Sequence, residues 1–325
     1  MMSRSGALRW LVLVCALVAS PIAAAQSYPT RPVRIVVPFS AGSQTDITTR
    51  MIGQKLTEAW GHQVVTDNRT GAGGTIGTGI VAEAQPDGYT LLAHSSGYAI
   101  APALYPRWKV NMLRDFQGVT TLVASPHIVA ISPKLGPKNL KDFLEYARKQ
   151  GERFTWASAG VGSGTHFCGE TFVLAAKLRQ HNHVAYKGTP EALLDAMTGR
   201  VDVFFAPLGA TMPFLKEGRV LAIAVTSKAR NPVIPEVPTV SEAGLPGFEF
   251  DVWFILSAPG KTPKTVVEKI SADVRKVLAL PEIVKALEVM GAMTAPRTPG
   301  ETQSFVAKEL RSYAEVAKAA NVPTF

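Results

Sequence analysis

Short apolar runs alternate along this chain with stretches in which apolar residues recur every three or four positions. The short runs are typical of buried strands, and the longer period is typical of amphipathic helices. The alternation therefore predicts an α/β fold. The predicted strands cover residues 33–38, 63–66, 89–93, 128–131, 155–158, 183–186, 201–205, 221–226 and 252–257. The predicted helices cover residues 46–60, 140–149, 165–178, 190–198, 265–278 and 300–320.

The first 25 residues follow a different pattern. Arg4 and Arg9 precede an uncharged apolar stretch, residues 10–18, which is followed by small residues and then Gln26. This arrangement predicts a secretory signal peptide that is cleaved near Ala25, and hence an exported, periplasmic protein. The apolar stretch is shorter than the roughly 20 residues that span a bilayer, and no later segment is longer and uncharged. We therefore expect a mature protein that is not embedded in the membrane.

Removal of this leader from the 325 residues leaves a chain long enough for one large domain or two medium ones, and we expect two. Of the two cysteines, Cys15 leaves with the leader, so Cys168 has no partner for an intramolecular disulfide. A lone cysteine is either a buried structural thiol or a nucleophile. No acidic or basic partner for Cys168 is evident from the sequence, which favours the buried thiol.

The chain is basic, with 34 Lys and Arg against 25 Asp and Glu and a formal charge of +9. Loss of Arg4 and Arg9 with the leader lowers this charge to +7. The basic residues are scattered and do not alternate with aromatic residues, so the sequence does not predict nucleic-acid binding. A mild positive field would instead steer small anions toward the protein.

Three loops rich in glycine and serine follow predicted strands, at residues 38–46, 70–77 and 159–166. Ligands of open α/β sheets bind beyond the carboxyl ends of the strands, and free backbone amides suit an anion. We expect Thr45 or Asp46 to cap the helix after the first loop. A single loop of this kind is equally consistent with an ordinary turn and with a ligand-binding loop. Three of them favour a cleft between two lobes whose amides converge on an anionic ligand.

The motifs of enzymes and metal sites are incomplete in this sequence. Residues 77–82 match a relaxed dinucleotide fingerprint, but they lie within a helix predicted to begin near Gly74 and not in a turn after a strand. His181 and His183 are the closest histidine pair, and they lack a third ligand. His166 either binds an anion or serves in helix capping or packing. We therefore expect no catalytic set, no metal and no cofactor.

The loops and their surroundings resemble the Bug-type receptors of tripartite tricarboxylate transport systems, which are extracytoplasmic solute-binding proteins. The resemblance covers almost the whole mature chain. It rests on the motifs YPTRPVRIVVPF at 28–39, NRTGAGG at 68–74, PDGYTLL at 86–92, YKG at 186–188, GRVD at 199–202, AVTS at 224–227 and VPTVSEAG at 237–244.

The resemblance implies a type II periplasmic binding protein, in which two α/β lobes are joined by crossing strands and enclose a ligand cleft. The crossings are expected near residues 122–125 and 250–253. One lobe would then comprise residues 26–125 and 250–325, and the other residues 126–249. Such a receptor is expected to act as a monomer that captures a small carboxylate and passes it to the membrane subunits of a tripartite tricarboxylate-type transporter.

In such receptors a ligand carboxylate is held between the first-strand loop and the later glycine and serine loop. The candidate ligand-binding residues are Phe39, Ser40, Ala41, Gly42, Ser43, Ala72, Gly73, Ser95, Ser96, Ser158, Ala159, Gly160, Gly162, Thr165, His166, Tyr186 and Asp202. His94 and Tyr98, with Ser95 and Ser96, either contact the far end of the ligand or only pack the loop. The family usually has proline, alanine, glycine, glycine where this chain has Ser40, Ala41, Gly42 and Ser43.

Two alternatives stay open from the sequence. The chain is either a solute receptor, which we favour, or an exported enzyme on the same scaffold, since a fold alone does not fix a function. A receptor that presents its ligand to a membrane kinase is a variant of the first hypothesis. The ligand class, whether dicarboxylate, tricarboxylate, amino acid or aromatic acid, is open as well.

Overall fold

The computed structural model describes residues 28–324, so the predicted signal peptide at residues 1–25 lies outside the described residues. The strands are β1 (Val33–Val37), β2 (Val64–Asn68), β3 (Thr90–Ser95), β4 (Phe116–Ile131), β5 (Thr155–Ser158), β6 (Asn182–Ala185), β7 (Val203–Pro207), β8 (Leu221–Val225), β9 (Asp251–Pro259) and β10 (Met293–Thr294). The α-helices are α1 (Gln44–Trp60), α2 (Thr75–Ala82), α3 (Gly97–Leu104), α4 (Leu140–Gln150), α5 (Gly164–Ala175), α6 (Thr189–Thr198), α7 (Leu208–Lys216), α8 (Lys264–Leu278), α9 (Pro281–Val289) and α10 (Pro299–Ala319). The predicted α/β class is confirmed.

The strands form two half-sheets that share β4. In the first half-sheet β1 pairs parallel with β2 and β3, and β9 pairs antiparallel with β3 and with the first part of β4. In the second, β5 pairs parallel with β6 and β7, while β7 and β8 pair antiparallel with the last part of β4. The partner of β4 changes between Pro126, opposite Asp251, and His127, opposite Pro207. The fold thus has two α/β halves joined at β4, as in two-lobed binding proteins.

The two halves pack against each other as well as around their own sheets. One cluster of buried apolar side chains contains Val36 and Phe116 from the first half and Phe167 and Phe205 from the second. The ring of Tyr313 on α10 meets Phe167 on α5 at a centroid distance of 5.6 Å, edge to face. Burial of a large apolar side chain contributes about 1.5–3 kcal/mol, so this contact helps to hold the halves together.

Several elements differ from the sequence prediction. β4 continues from Phe116 through the predicted crossing to Ile131, although polar residues interrupt its apolar pattern, because pairing with strands on both sides satisfies its backbone. Helices α3, α7 and α9 were not predicted. α3 and α7 contain Pro102 and Pro213, which normally argue against a helix interior, and α3 is buried on nearly every side, which removes the helical period.

No helix in the stretch 28–324 combines the length and the apolar character that a membrane crossing needs.

Candidate functional site

The loop between β1 and α1, residues 38–43 (the first loop), is held by the carboxylate of Asp46. This carboxylate is 2 % exposed and accepts hydrogen bonds from the Gly42 amide at 2.9 Å, from Asn68 Nδ2 at 2.9 Å and from Arg50. Burial alone would raise the pKa of Asp46, but the hydrogen bonds from Arg50, Gly42 and Asn68 lower it overall. Asn68 also donates to the carbonyl oxygen of Phe39 at 3.0 Å. The loop is therefore fixed before any ligand arrives.

The N-cap of α1 is Ser43, and not Thr45 or Asp46 as we expected. The Ser43 hydroxyl accepts a hydrogen bond from the Asp46 amide at 3.3 Å. The Gly42 amide donates to Asp46 on α1, and the Ser43 amide donates to the carbonyl oxygen of Ser40. Among the described residues no acceptor faces the amides of Phe39, Ser40 and Ala41, so these three donors are available to a ligand at the carboxyl end of β1.

The loop between β5 and α5, residues 158–163 (the second loop), satisfies more of its own amides than the sequence predicts. Ala159 donates to Thr165 Oγ1 at 2.8 Å, Gly160 to Ser158 Oγ at 3.1 Å and Gly162 to His166 Nδ1 at 3.2 Å. Nearby hydroxyl and imidazole groups accept from these three amides, so these amides are not available as donors to a ligand.

Three other amides at the second loop have no acceptor within residues 28–324. They belong to Val161 and to the first turn of α5, Gly164 and Thr165. Val161 was not among the candidates, because a valine between glycines carries no signal of its own in the sequence. Its amide is identified as an available donor only in the structure, because the amides of the neighbouring residues have acceptors and its own amide has none in the described part of the chain.

Two histidines and a tryptophan support the second loop from beneath. His183 Nε2 lies 2.7 Å from Ser158 Oγ, which itself accepts from the Gly160 amide. The rings of His183 and Trp156 stack at 4.1 Å, and those of His183 and His166 at 4.4 Å. Burial, with smaller effects of His166 and His181, lowers the pKa of His183 to about 3, so the ring is neutral at physiological pH. The predicted candidates Ser158 and His166 thus shape the loop from within.

His166, Glu170 and His183 form the one group of potential metal ligands found in the described chain, with ligand atoms within 4.8 Å of one another. Helix α5 brings His166 and Glu170 to His183, and His181 is not part of this group. The hydrogen bond from Gly162 places the proton of a neutral His166 on Nε2, 3.4 Å from Glu170 Oε1, where a metal would need a lone pair. The cluster therefore suits a hydrogen-bonded support better than a metal ion.

Ala72 and Gly73 lie in a short 3-10 turn beside the first loop, where Gly73 approaches the hydroxyl of Tyr105. Residues 77–82, which match the dinucleotide fingerprint, lie inside α2, as predicted. A Cβ at Gly77 would lie 2.6 Å from the carbonyl oxygen of Arg69, so this glycine is needed for helix packing.

Ser95 and Ser96 lie at the end of β3, close to the second loop. A Cβ at Gly164 would lie 3.1 Å from Ser96 Oγ, and this buried hydroxyl has no partner among the described residues. Tyr98 is different, because it points into the core, donates to the carbonyl oxygen of Met112 at 3.2 Å and is 2 % exposed. For Tyr98 the packing alternative is therefore the correct one.

The last two candidates, Tyr186 and Asp202, lie at opposite ends of the second half-sheet. Tyr186 follows β6 at the edge of the second loop, and its hydroxyl donates to Asp195 at 2.7 Å. Asp202 precedes β7, and its carboxylate accepts from the amide of Thr155 at 2.7 Å and from Tyr146. Because Thr155 begins β5, Asp202 lies at the far end of the strand from the second loop. It stabilises the start of β5, and we do not retain it as a ligand residue.

Cys168 is fully buried on α5. Burial raises the pKa of its thiol well above the usual value, and Asp251 raises it further. Since the thiolate is the nucleophilic form, the environment favours the structural thiol over the nucleophile.

A family model described as "Tripartite tricarboxylate transporter family receptor" matches residues 48–322. Among solved structures, R. palustris Rpa4515 with adipate is 31 % identical, has a TM-score of 0.85, and the match covers 92 % of this chain and 100 % of that one. Periplasmic binding protein BugD is 35 % identical, with a TM-score of 0.82 and the same coverage. MatC from Rhodopseudomonas palustris with bound malate is 32 % identical, with a TM-score of 0.80 and coverage of 89 % and 99 %.

Proposed function

Because this chain belongs to the family of tripartite tricarboxylate transporter receptors, solute-binding proteins for small carboxylates, we propose that it holds one ligand carboxylate between the first and second loops. The observation that carries this proposal is the set of amides without acceptors, Phe39 to Ala41 in one half and Val161 with Gly164 and Thr165 in the other. Amides suit carboxylate oxygens, and these amides follow the carboxyl ends of β1 and β5.

The lobes of this receptor would be residues 26–125 with 250–325, and residues 126–249. The change in the partner of β4 between Pro126 and His127 supports this division. The receptor would act in the periplasm after cleavage near Ala25, as a monomer that delivers its ligand to the membrane subunits of the transporter and does not turn it over. The name of BugD, a periplasmic binding protein, supports the location.

The ligand class is a small dicarboxylate. The related Rpa4515 and MatC were solved with adipate and malate, each of which carries two carboxylates. A thermal-shift screen of mono-, di- and tricarboxylates, amino acids and aromatic acids tests this proposal. A ligand at one hundred times its Kd adds about 2.7 kcal/mol of stability, so a dicarboxylate should raise Tm clearly. If no carboxylate stabilises the protein, or if a dicarboxylate is consumed on incubation, the proposal is wrong.

Ligand binding should bring the two halves together, because the available amides lie on loops of different halves and neither loop alone surrounds a ligand. We expect the radius of gyration measured by small-angle scattering to fall when the best ligand of the screen is added at saturation. The same experiment with the Gly160→Val variant discussed below is the control, since it should show a much smaller change at the same ligand concentration. An unchanged radius in the parent protein would contradict the closing movement.

A further inference from the structure

The second loop contains a turn whose hydrogen bonds set the direction of the Val161 amide. The Ser163 amide donates to the carbonyl oxygen of Gly160 at 3.1 Å, which closes a turn over residues 160–163. Gly162, the third residue of this turn, has φ +82, the value that a type II turn needs there. Val161 is only partly buried, and its amide has no acceptor among the described residues. This donor therefore remains available to a ligand.

The first loop contains the same turn. The Ser43 amide closes it by donating to the carbonyl oxygen of Ser40 at 3.1 Å. Gly42, its third residue, has φ +81, and the amide of Ala41 has no acceptor in the described part of the chain. In each loop the fourth residue of the turn, Ser43 or Ser163, is also the N-cap of the following helix. Each half thus presents the unpaired amide of the second residue of an equivalent turn.

The Ser163 hydroxyl adds a bond that has no counterpart in the first loop among the residues the structure describes. It donates to the Gly160 carbonyl oxygen at 2.6 Å. Gly160 has φ +119 and no side chain, so its backbone is freer to move than that of Ser40, the corresponding residue of the first loop. The peptide between Gly160 and Val161 is planar and trans, so its N–H points opposite to its C=O. By holding this carbonyl, Ser163 fixes the direction of the Val161 N–H.

The Ser163 hydroxyl has no hydrogen-bonding capacity left for a ligand. Its oxygen accepts from the His166 amide at 3.2 Å and lies 2.8 Å from Thr165 Oγ1. Because the Ser163 proton is directed at the Gly160 carbonyl, the Thr165 hydroxyl is the donor in that contact. Thr165 Oγ1 in turn accepts from the Ala159 amide at 2.8 Å. A hydroxyl has one proton and two lone pairs, and here all are used, so Ser163 acts on a ligand only through the loop.

We propose that Ser163 is a positioning residue of the carboxylate site, which keeps the Val161 amide directed at the ligand without touching the ligand itself. This inference rests on the proposed function and assigns a role to a residue outside the candidate ligand-binding residues. Loss of the hydroxyl would let the peptide between Gly160 and Val161 rotate in the free protein, and ligand binding would have to restore its orientation. The loss should therefore appear in Kd, and not only in the free energy of unfolding.

Titration calorimetry with adipate and malate as probes tests this role. Ser163→Ala should weaken the binding of a probe by about three- to tenfold, the loss that one net hydrogen bond produces. Ser163→Thr keeps a hydroxyl and an accepted N-cap residue, so it should bind the probe like the parent. In the parent, a bound probe should slow hydrogen exchange at the Val161 amide, and this protection should be smaller in Ser163→Ala at saturation.

Asn139→Ala is the matched control for the loss of a helix cap. Asn139 caps α4 and accepts from the Asp142 amide at 2.9 Å, as Ser163 accepts from the His166 amide at the start of α5. Asn139 follows β4, whose end lies opposite to the second loop because β4 runs antiparallel to β7, and β7 runs parallel to β5. Both alanine variants should lower the free energy of unfolding, but only Ser163→Ala should raise Kd.

Unchanged affinity of a folded Ser163→Ala variant would overturn the assignment. Equal losses in Ser163→Ala and Ser163→Thr would also overturn it, because the shape of the side chain and not its hydroxyl would then decide the affinity. If Ser163→Ala does not fold, Ser163→Gly takes its place, since glycine costs an N-cap little stability. In each of these cases the parent still binds a dicarboxylate, and the proposed function stands. If neither adipate nor malate binds the parent, the proposed function fails, and this inference fails with it.

Discussion

Replacement of Gly160 by valine should weaken dicarboxylate binding by about ten- to a hundredfold. Gly160 has φ +119, a conformation that a β-branched residue rarely adopts, and a Cβ there would lie 3.1 Å from the carbonyl oxygen of Tyr186. Such strain costs about 1–3 kcal/mol, and the free loop relieves it by moving. Ligand binding must then return the loop to its original conformation. The free energy that this requires, about 1–3 kcal/mol, corresponds to the expected ten- to hundredfold loss of affinity. Gly42→Val in the first loop, at φ +81, should act in the same way.

Gly136 offers a matched control for Gly160. It has φ +109, and a Cβ there would meet nothing within 4 Å. Gly136 follows β4 at the end of the second half-sheet that is opposite to the second loop. Gly136→Val should therefore lower the free energy of unfolding as Gly160→Val does, while it leaves Kd unchanged. Gly79→Ala, in an open position on α2, should leave Kd unchanged and raise the free energy of unfolding by about 0.5–1 kcal/mol. Isothermal titration calorimetry measures Kd, and urea unfolding measures the free energy of unfolding. If the Gly42 and Gly160 variants bind the ligand with the affinity of the parent protein, the carboxylate is bound elsewhere.

The Asp251→Asn variant should be more stable than the parent by about 2 kcal/mol at pH 8. Asp251 lies at the start of β9, where β4 and β9 cross, and its Oδ1 is buried without a hydrogen-bond partner among the described residues. Burial, with a smaller effect of Glu249, raises its pKa from 3.8 to about 6. Each unit of this shift corresponds to about 1.4 kcal/mol, and the unpaired amide of asparagine offsets part of the gain.

The pH dependence gives the sign of this effect. The folded state binds the proton of Asp251 more tightly than the unfolded state, so the parent loses stability as pH rises from about 4 to about 6. The gain of Asp251→Asn should therefore be full above pH 6 and nearly absent below pH 4. Urea unfolding across this range measures it. Asp87→Asn, which removes an exposed ion pair with Arg31, should change stability by less than about 1 kcal/mol. A gain independent of pH would contradict burial of an ionised Asp251.

The sequence determined most of the fold, because the fold depends on local patterns. Apolar runs and helical periods predicted β5 at its observed bounds and the helices α1, α4, α8 and α10 within a few residues. The predictions from these patterns were wrong where tertiary contacts determine the element more strongly than the local sequence does. α3 is surrounded by core, so its apolar residues show no period, and β4 carries polar residues in its middle because strands of both half-sheets pair with it.

The sequence also indicated which loops to examine, since glycine and serine after a strand mark places where backbone can approach a ligand. It did not reveal which amides are available. Whether an amide is free depends on whether an acceptor lies opposite, and acceptors such as Thr165 Oγ1 and His166 Nδ1 are placed by the turn into α5. Val161 was missed for this reason, and Asp202 was included although the strand direction places it at the other end of β5.

The charge state and orientation of the histidines belonged entirely to the tertiary structure. In the sequence, His94, His166 and His183 are isolated residues on different elements. The fold buries His94 beside Gly74 and Gly97 and stacks His166 on His183 beneath the second loop. Burial lowers the pKa of His94 and His183 and removes their charge, and the contacts of each ring decide which nitrogen donates and which accepts. Local sequence fixes neither property, because both depend on groups that come together only when the chain has folded.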